Sequence, residues 1–70
     1  MERVRVSSSN IKSVGYDPFS AILEIEFHNG GVYLYRSVPE RVYERLMAAS
    51  SKGTYFNDHI KGVYNYRRIR

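Results

Sequence analysis

The residues best suited to bind a ligand lie in the last third of the chain. From Lys52 onward there are five cations, Lys52, Lys61, Arg67, Arg68 and Arg70, against one acid, Asp58. Tyr55, Tyr64 and Tyr66 are interleaved with them. Cations neutralise phosphates and aromatic faces stack on unpaired bases, so these residue types side by side point to nucleic acid. The serine-rich start of a helix at Lys52 adds free backbone N–H groups that can hold a phosphate. The plainer alternative is a basic tail whose tyrosines pack back on the domain and whose arginines are only hydrated.

Other chemistries find little support. His28 and His59 are the only histidines, and neither has a second ligand at a metal-binding spacing. His28 reads as a turn residue and His59 as a surface or packing residue. Glu24 and Glu26 lie two apart on one strand face. Such a pair more often forms a solvated ladder, here with Arg36 or Arg3, than an acid–base site. Ser7, Ser8 and Ser9 have no nearby base and read as a polar turn. There is no phosphate-cradling glycine loop. These residues predict neither a catalytic site nor a metal or cofactor.

Seventy residues make one domain, 1–70, which buries only about 60% of the surface of its unfolded chain. With no cysteine there is no disulfide or thiolate site, and stability must come from apolar packing, to which the 14% of aromatic residues contribute most. The net charge is +4 and the pI about 9.6. That balance favours an acidic partner: nucleic acid, an anionic surface or an acidic protein. No apolar run approaches the ~20 residues of a membrane helix, and no apolar run follows Met1-Glu2-Arg3-Val4-Arg5 as in a signal peptide. The expectation is a cytoplasmic, monomeric protein with no membrane contact.

The elements that must position the basic segment can be read from pattern. Arg3 to Val6 alternates as a short strand with both arginines on one face. After the serine turn, Ile11 to Tyr16 is strand-like, with Val14 and Tyr16 sharing a face. Asp17-Pro18-Phe19-Ser20 signals a turn. Ile22 to His28 is the clearest strand, with Leu23, Ile25 and Phe27 on one face and Glu24 and Glu26 on the other. Asn29-Gly30 reverses it, and Val32 to Arg36 returns. Ser37-Val38-Pro39-Glu40 reads as a capping box opening a helix with Val42, Leu46 and Ala49 at helical spacing. Ser50-Ser51 can cap a second helix, about Lys52 to Lys61, with Phe56 and Ile60 as its stripe and Gly62 as its stop. Val63 to Arg70 is left without an assigned structure. The class is α+β: an antiparallel meander of three to four strands, then two short helices packed on one face. Ile25, Phe27, Leu46 and Phe56 are the expected core.

Turn length decides where Tyr33 and Tyr35 point. A two-residue Asn29-Gly30 loop pairs Ile25 with Leu34 and puts both tyrosines on the glutamate face. A three-residue His28-Asn29-Gly30 loop pairs Ile25 with Tyr33 and puts both on the core face. Both loop types are common. Tyrosines facing solvent could stack on bases; tyrosines facing inward read as core and leave no obvious site.

Taken in order, Val6-Ser7-Ser8-Ser9-Asn10-Ile11, Gly15-Tyr16-Asp17, Leu23 to Phe27, Asn29-Gly30-Gly31, Tyr33-Leu34-Tyr35 before Val38-Pro39, and Ser51-Lys52-Gly53-Thr54-Tyr55-Phe56-Asn57 with His59-Ile60 resemble the KTSC domain. This family comprises short bacterial and phage proteins, and its domain also ends some lysyl-tRNA synthetases. The resemblance spans nearly the whole chain. Its hallmark is the central Tyr-x-Tyr, whose period of two favours a pair on one face, with the tyrosines inward. It implies no catalytic residues, and the synthetase association suggests RNA binding. The expected function is therefore a small non-catalytic binding module that contacts RNA, tRNA or another, through Lys52, Tyr55, Lys61, Tyr64, Tyr66, Arg67 and Arg68. The alternative is a protein–protein interaction module whose basic surface meets an acidic protein.

Overall fold

Alternating apolar and acidic residues place Ile22 to Phe27 at the centre of a sheet with two unlike faces. The computed structural model describes residues 2–70. Its strands are β1 (Arg3–Arg5), β2 (Ile11–Asp17), β3 (Ile22–Phe27), β4 (Val32–Tyr35) and β5 (Tyr66–Arg68), with helices α1 (Glu40–Ala48) and α2 (Lys52–His59) between β4 and β5. The sheet is antiparallel in the order β1-β2-β3-β4-β5. The class is the expected α+β, with five strands rather than three to four. The added strand is β5, in the tail left unassigned by pattern.

The hairpin takes the three-residue loop. The Phe27 N–H donates to the Gly31 carbonyl at 2.9 Å and the Gly30 N–H to the Phe27 carbonyl at 3.0 Å. Gly30 has φ +95°, a conformation in which any Cβ is strained. Leu23 then faces Tyr35 and Ile25 faces Tyr33, so both tyrosines stand on the core side. Two polar turns form as their residue types predict. The Ser8 hydroxyl accepts from the Ile11 N–H at 3.2 Å, and the Asp17 carboxylate accepts from the Phe19 N–H at 3.0 Å and the Ser20 hydroxyl at 2.8 Å.

The helices bury one face of the sheet. Ile11, Val14, Leu23 and Ile25 are fully covered by Val38, Val42, Leu46, Phe56 and Ile60. Tyr43 of α1 stacks on Tyr16 at 5.0 Å, and the Tyr16 hydroxyl donates to the Val38 carbonyl at 2.6 Å. The Ser51 hydroxyl caps α2, accepting from the Thr54 N–H at 3.4 Å. Helix α1 starts differently from the expected capping box. Pro39 is its N-cap, with no side-chain cap bond, while Ser37 is turned into a left-handed conformation, φ +58°. Two residues separate Ser37 from the first helical turn, which puts its hydroxyl out of reach of the α1 N–H groups.

The opposite face is charged but not simply solvated. Glu26 is 9% exposed; it accepts from the Ser13 hydroxyl at 2.8 Å and from the Arg70 guanidinium at 2.6 Å. Arg3 pairs with Glu24 at 2.6 Å. The expected pairing of the carboxylate ladder with Arg3 is found, and Arg70 stands beside Glu26 where Arg36 was the other candidate. The Ser13 hydrogen bond, and then the charges of Lys12, Arg3 and Arg70, hold the Glu26 carboxyl below its ordinary range against the opposing effect of burial. Chain ends thus meet on one face, Arg3 from β1 and Arg70 from beyond β5.

Candidate nucleic-acid interface

The helices are too short to cover the whole sheet. Phe56 of α2 sits edge-on against Phe27 at 5.4 Å and against Tyr35 at 5.5 Å, and there the cover stops. Beyond it the sheet bears Phe27, Tyr33 and Tyr66, which with α2 and the hairpin enclose an open cleft of about 450 Å³. Phe27 is therefore half-buried, not the closed core residue expected, because its outer edge forms the cleft floor. Tyr33 is half-buried for the same reason, whereas Tyr35 is only 5% exposed. A core-side orientation therefore does not remove Tyr33 from the surface: the face is inward, but part of it is uncovered.

Strand β5 completes the aromatic floor. Tyr66 pairs with Tyr35 and Arg68 with Tyr33. The Tyr66 ring lies 5.7 Å from that of Tyr33 and 5.8 Å from that of Tyr35, and Tyr33 and Tyr35 are offset-stacked at 6.5 Å. Tyr66 is nonetheless 62% exposed. The Arg68 guanidinium stands 5.7 Å above the Tyr33 ring, a cation–π arrangement, and its Nε donates to the Arg70 carbonyl at 3.1 Å. Burial, then the neighbouring Tyr33 and Tyr66, push the Tyr35 hydroxyl up to about 12, so it stays a neutral hydrogen-bonding group near pH 7.

The walls are polar and free of acid. Lys61, Asn57 and Gly53 come from α2 and its exit, Asn10 and His28 from the loops opposite, and no described residue lining the cleft is an Asp or Glu. His28 Nε2 is 2.9 Å from the Ser8 carbonyl, which ties the hairpin to the serine turn. Gly31 lets the Tyr33 ring lie close: a Cβ there would come 3.2 Å from Cε1 of Tyr33.

Among the residues singled out by sequence, Lys61 and Tyr66 line this cleft, and Arg68 stands over the ring of Tyr33, which also lines it. Lys52 lines an adjoining serine-rich hollow that shares Asn10, Gly53 and Asn57 with it, and its ammonium donates to the Ala49 carbonyl at 3.0 Å. The Tyr55 ring lies tilted against His59 at 4.5 Å along α2, and Tyr64 packs half-buried against the core. Arg67 alternates with Tyr66 and Arg68 along β5 and so stands on the opposite face, opposite Leu34. Phe27, Tyr33, Asn10 and Asn57 join the site without having been assigned to it. The Tyr-x-Tyr spacing marked Tyr33, but only the reach of α2 decides that its edge is exposed.

Comparison with known proteins places the chain closely. The sequence profile of the KTSC domain matches residues 7–64. A protein of Stutzerimonas stutzeri is 46% identical over 70 residues, covering 99% of both chains. The crystal structure of a KTSC domain protein from Yersinia pestis superposes with a TM-score of 0.96 at 48% identity, over 99% of this chain and 97% of that one. A protein of Nostoc sp. named lysine–tRNA ligase is 39% identical over 66 residues; the match spans 94% of this chain but only 12% of the ligase.

Proposed function

This chain belongs to the KTSC domain family, and from that premise we propose that it is a small, non-catalytic RNA-binding module of the cytoplasm. Its contact surface is the basic, tyrosine-bearing strand β5 with the cleft beside it. The observation that carries this reading is a cleft lined by Lys61, Tyr33 and Tyr66 with no carboxylate among its described lining residues, and the Arg68 guanidinium over the Tyr33 ring. Cations there can neutralise phosphates while the tyrosines offer faces to bases. The likeness to part of a lysine–tRNA ligase lends support, because a segment carried by a protein of that name has tRNA close at hand.

Filter binding with tRNA, single-stranded RNA and duplex DNA, over a series of salt concentrations, tests the reading. RNA should be retained, with affinity falling steeply as salt rises, because each neutralised phosphate releases counterions. Replacing Lys61 or Arg68 with Ala should weaken retention of every RNA. Absence of retention at low salt refutes it and favours the second reading, a protein–protein interaction module. One observation supports that second reading: Phe19, at the tip of the β2–β3 turn, is fully exposed, as a docking anchor would be.

A further inference from the structure

The aromatic cleft has the shape and lining of a slot, and what fits it can be argued from its parts. Its volume, about 450 Å³, falls within the roughly 300–1,000 Å³ typical of sites for small ligands. Its floor is aromatic, built from Phe27, Tyr33 and Tyr66, and Tyr66 is 62% exposed. Tyr33 is already faced by Arg68, which leaves Tyr66 as the stacking surface. The ring of Tyr66 is held by Tyr33 and Tyr35 at 5.7 and 5.8 Å, so little freedom is lost when a second ring settles on it. Asn10 and Asn57 bring side-chain amides to the walls, groups able to donate to and accept from the edge of a base. Lys61 supplies positive charge in the lining, Arg68 adds charge over the Tyr33 ring, and no described lining residue is an acid.

Gly53 borders the cleft from the first turn of α2, as its second residue. Its φ does not demand glycine, and a Cβ there would come 3.4 Å from the Asn10 amide nitrogen and 3.9 Å from the Ser8 hydroxyl. Neither the backbone nor a close packing partner requires glycine at this position. The absence of a side chain instead leaves the wall of the cleft recessed where α2 faces Asn10.

We propose that this cleft holds one unpaired nucleotide of a single-stranded RNA. Its base lies on Tyr66, its base edge meets Asn10 and Asn57, and its phosphate is met by Lys61. The proposal rests on the RNA-binding reading above and narrows it. A base within a duplex has both faces covered by its neighbours and its pairing edge occupied, so it can offer neither to a recessed slot. Contact with duplexes would then be limited to phosphates, and the discrimination between strand states comes from the slot.

The test uses the intact 70-residue protein and a short single-stranded RNA with one central 2-aminopurine, alone and annealed to its complement. The protein has no tryptophan, so emission from the probe is read without overlap. Stacking on a tyrosine quenches that emission. The single strand should be quenched on binding and should bind at least 10-fold more tightly than the duplex. Tyr66→Leu should lose about 5- to 100-fold of single-strand affinity, together with the quenching, given the worth of stacking on one aromatic. Tyr66→Phe should keep both. Should Tyr66→Leu fail to fold, Gly53→Leu decides: it fills the slot from the α2 side and should lose the quenching with its thermal transition intact. Equal affinity for single strand and duplex, or unchanged quenching in either filled or truncated variant, overturns the slot while leaving RNA binding in place. Absence of any binding by the unaltered protein at low salt overturns both.

Discussion

Truncating Phe27 to Ala probes whether the cleft is open in solution. Leu46 is the reference, because it lies on the inner face of α1 and is completely buried. Leu46→Ala removes apolar contacts and leaves a dry cavity that the packed sheet cannot collapse, which together cost about 3–5 kcal/mol. Phe27 is larger but differently placed. Its ring meets Phe56 and Tyr33 edge-on at 5.4 and 5.6 Å, contacts worth about 0.5–1.5 kcal/mol each. Its other edge already faces the cleft, so only about half of its ~1.5–3 kcal/mol transfer term is at stake. Water can enter the space left behind, so no dry cavity adds to the cost. About 2–4 kcal/mol should be lost, roughly 1 kcal/mol less than for Leu46→Ala. Urea unfolding followed by far-UV circular dichroism compares the two variants at constant slope. A Phe27→Ala variant as damaging as Leu46→Ala, or more so, refutes the reasoning, because Phe27 would then have to lie in a closed core.

Four further outcomes follow from the same structure. Ser51→Ala should cost about 1 kcal/mol by removing the α2 cap, whereas Ser37→Ala should change stability by less than about 0.5 kcal/mol because Ser37 caps nothing; urea midpoints compare them. Gly15→Ala should push β1 off the sheet at a cost of about 1–3 kcal/mol, since its Cβ would lie 2.7 Å from the Glu2 carbonyl oxygen; amide exchange should rise in β1 before the rest. Folding holds the Glu26 carboxyl below its ordinary value of 4.5, so its contribution is present above that value and disappears as pH falls through the depressed one. Urea midpoints taken down through the carboxylate range should therefore fall less steeply for Glu26→Gln than for the unaltered protein.

Much of the fold was legible because it is written in local pattern. The period of two in Leu23 to Phe27 and the Gly30 turn residue together specify a hairpin, and Ser51 with Phe56 and Ile60 specifies α2. The choice of loop was not local. Either register satisfies some hydrophobic residues, and the one that forms places Tyr35 where Phe56 can cover it. Strand β5 was invisible for a related reason. Tyr66-Arg67-Arg68 has no apolar alternation, and its pairing with β4 is secured by the Tyr33, Tyr35 and Tyr66 cluster and by the Arg70–Glu26 contact 44 residues apart in sequence. The capping box failed because it matched residue types without the left-handed turn at Ser37. Lys61, Tyr66 and Arg68 were recognisable as binding residues by charge and aromaticity. The cleft that Lys61 and Tyr66 share depends on where α2 ends its cover, which no spacing in the chain encodes.

The central claim is that RNA is bound at the uncovered end of the sheet. A residue-by-residue NMR titration of the protein with single-stranded RNA at low salt tests it most directly. The account predicts chemical-shift changes concentrated at Phe27, Tyr33, Asn57, Lys61, Tyr66 and Arg68, which diminish as salt is raised. No change at any residue, or changes confined to Arg3, Lys12 and Arg67 on the opposite face, would contradict it.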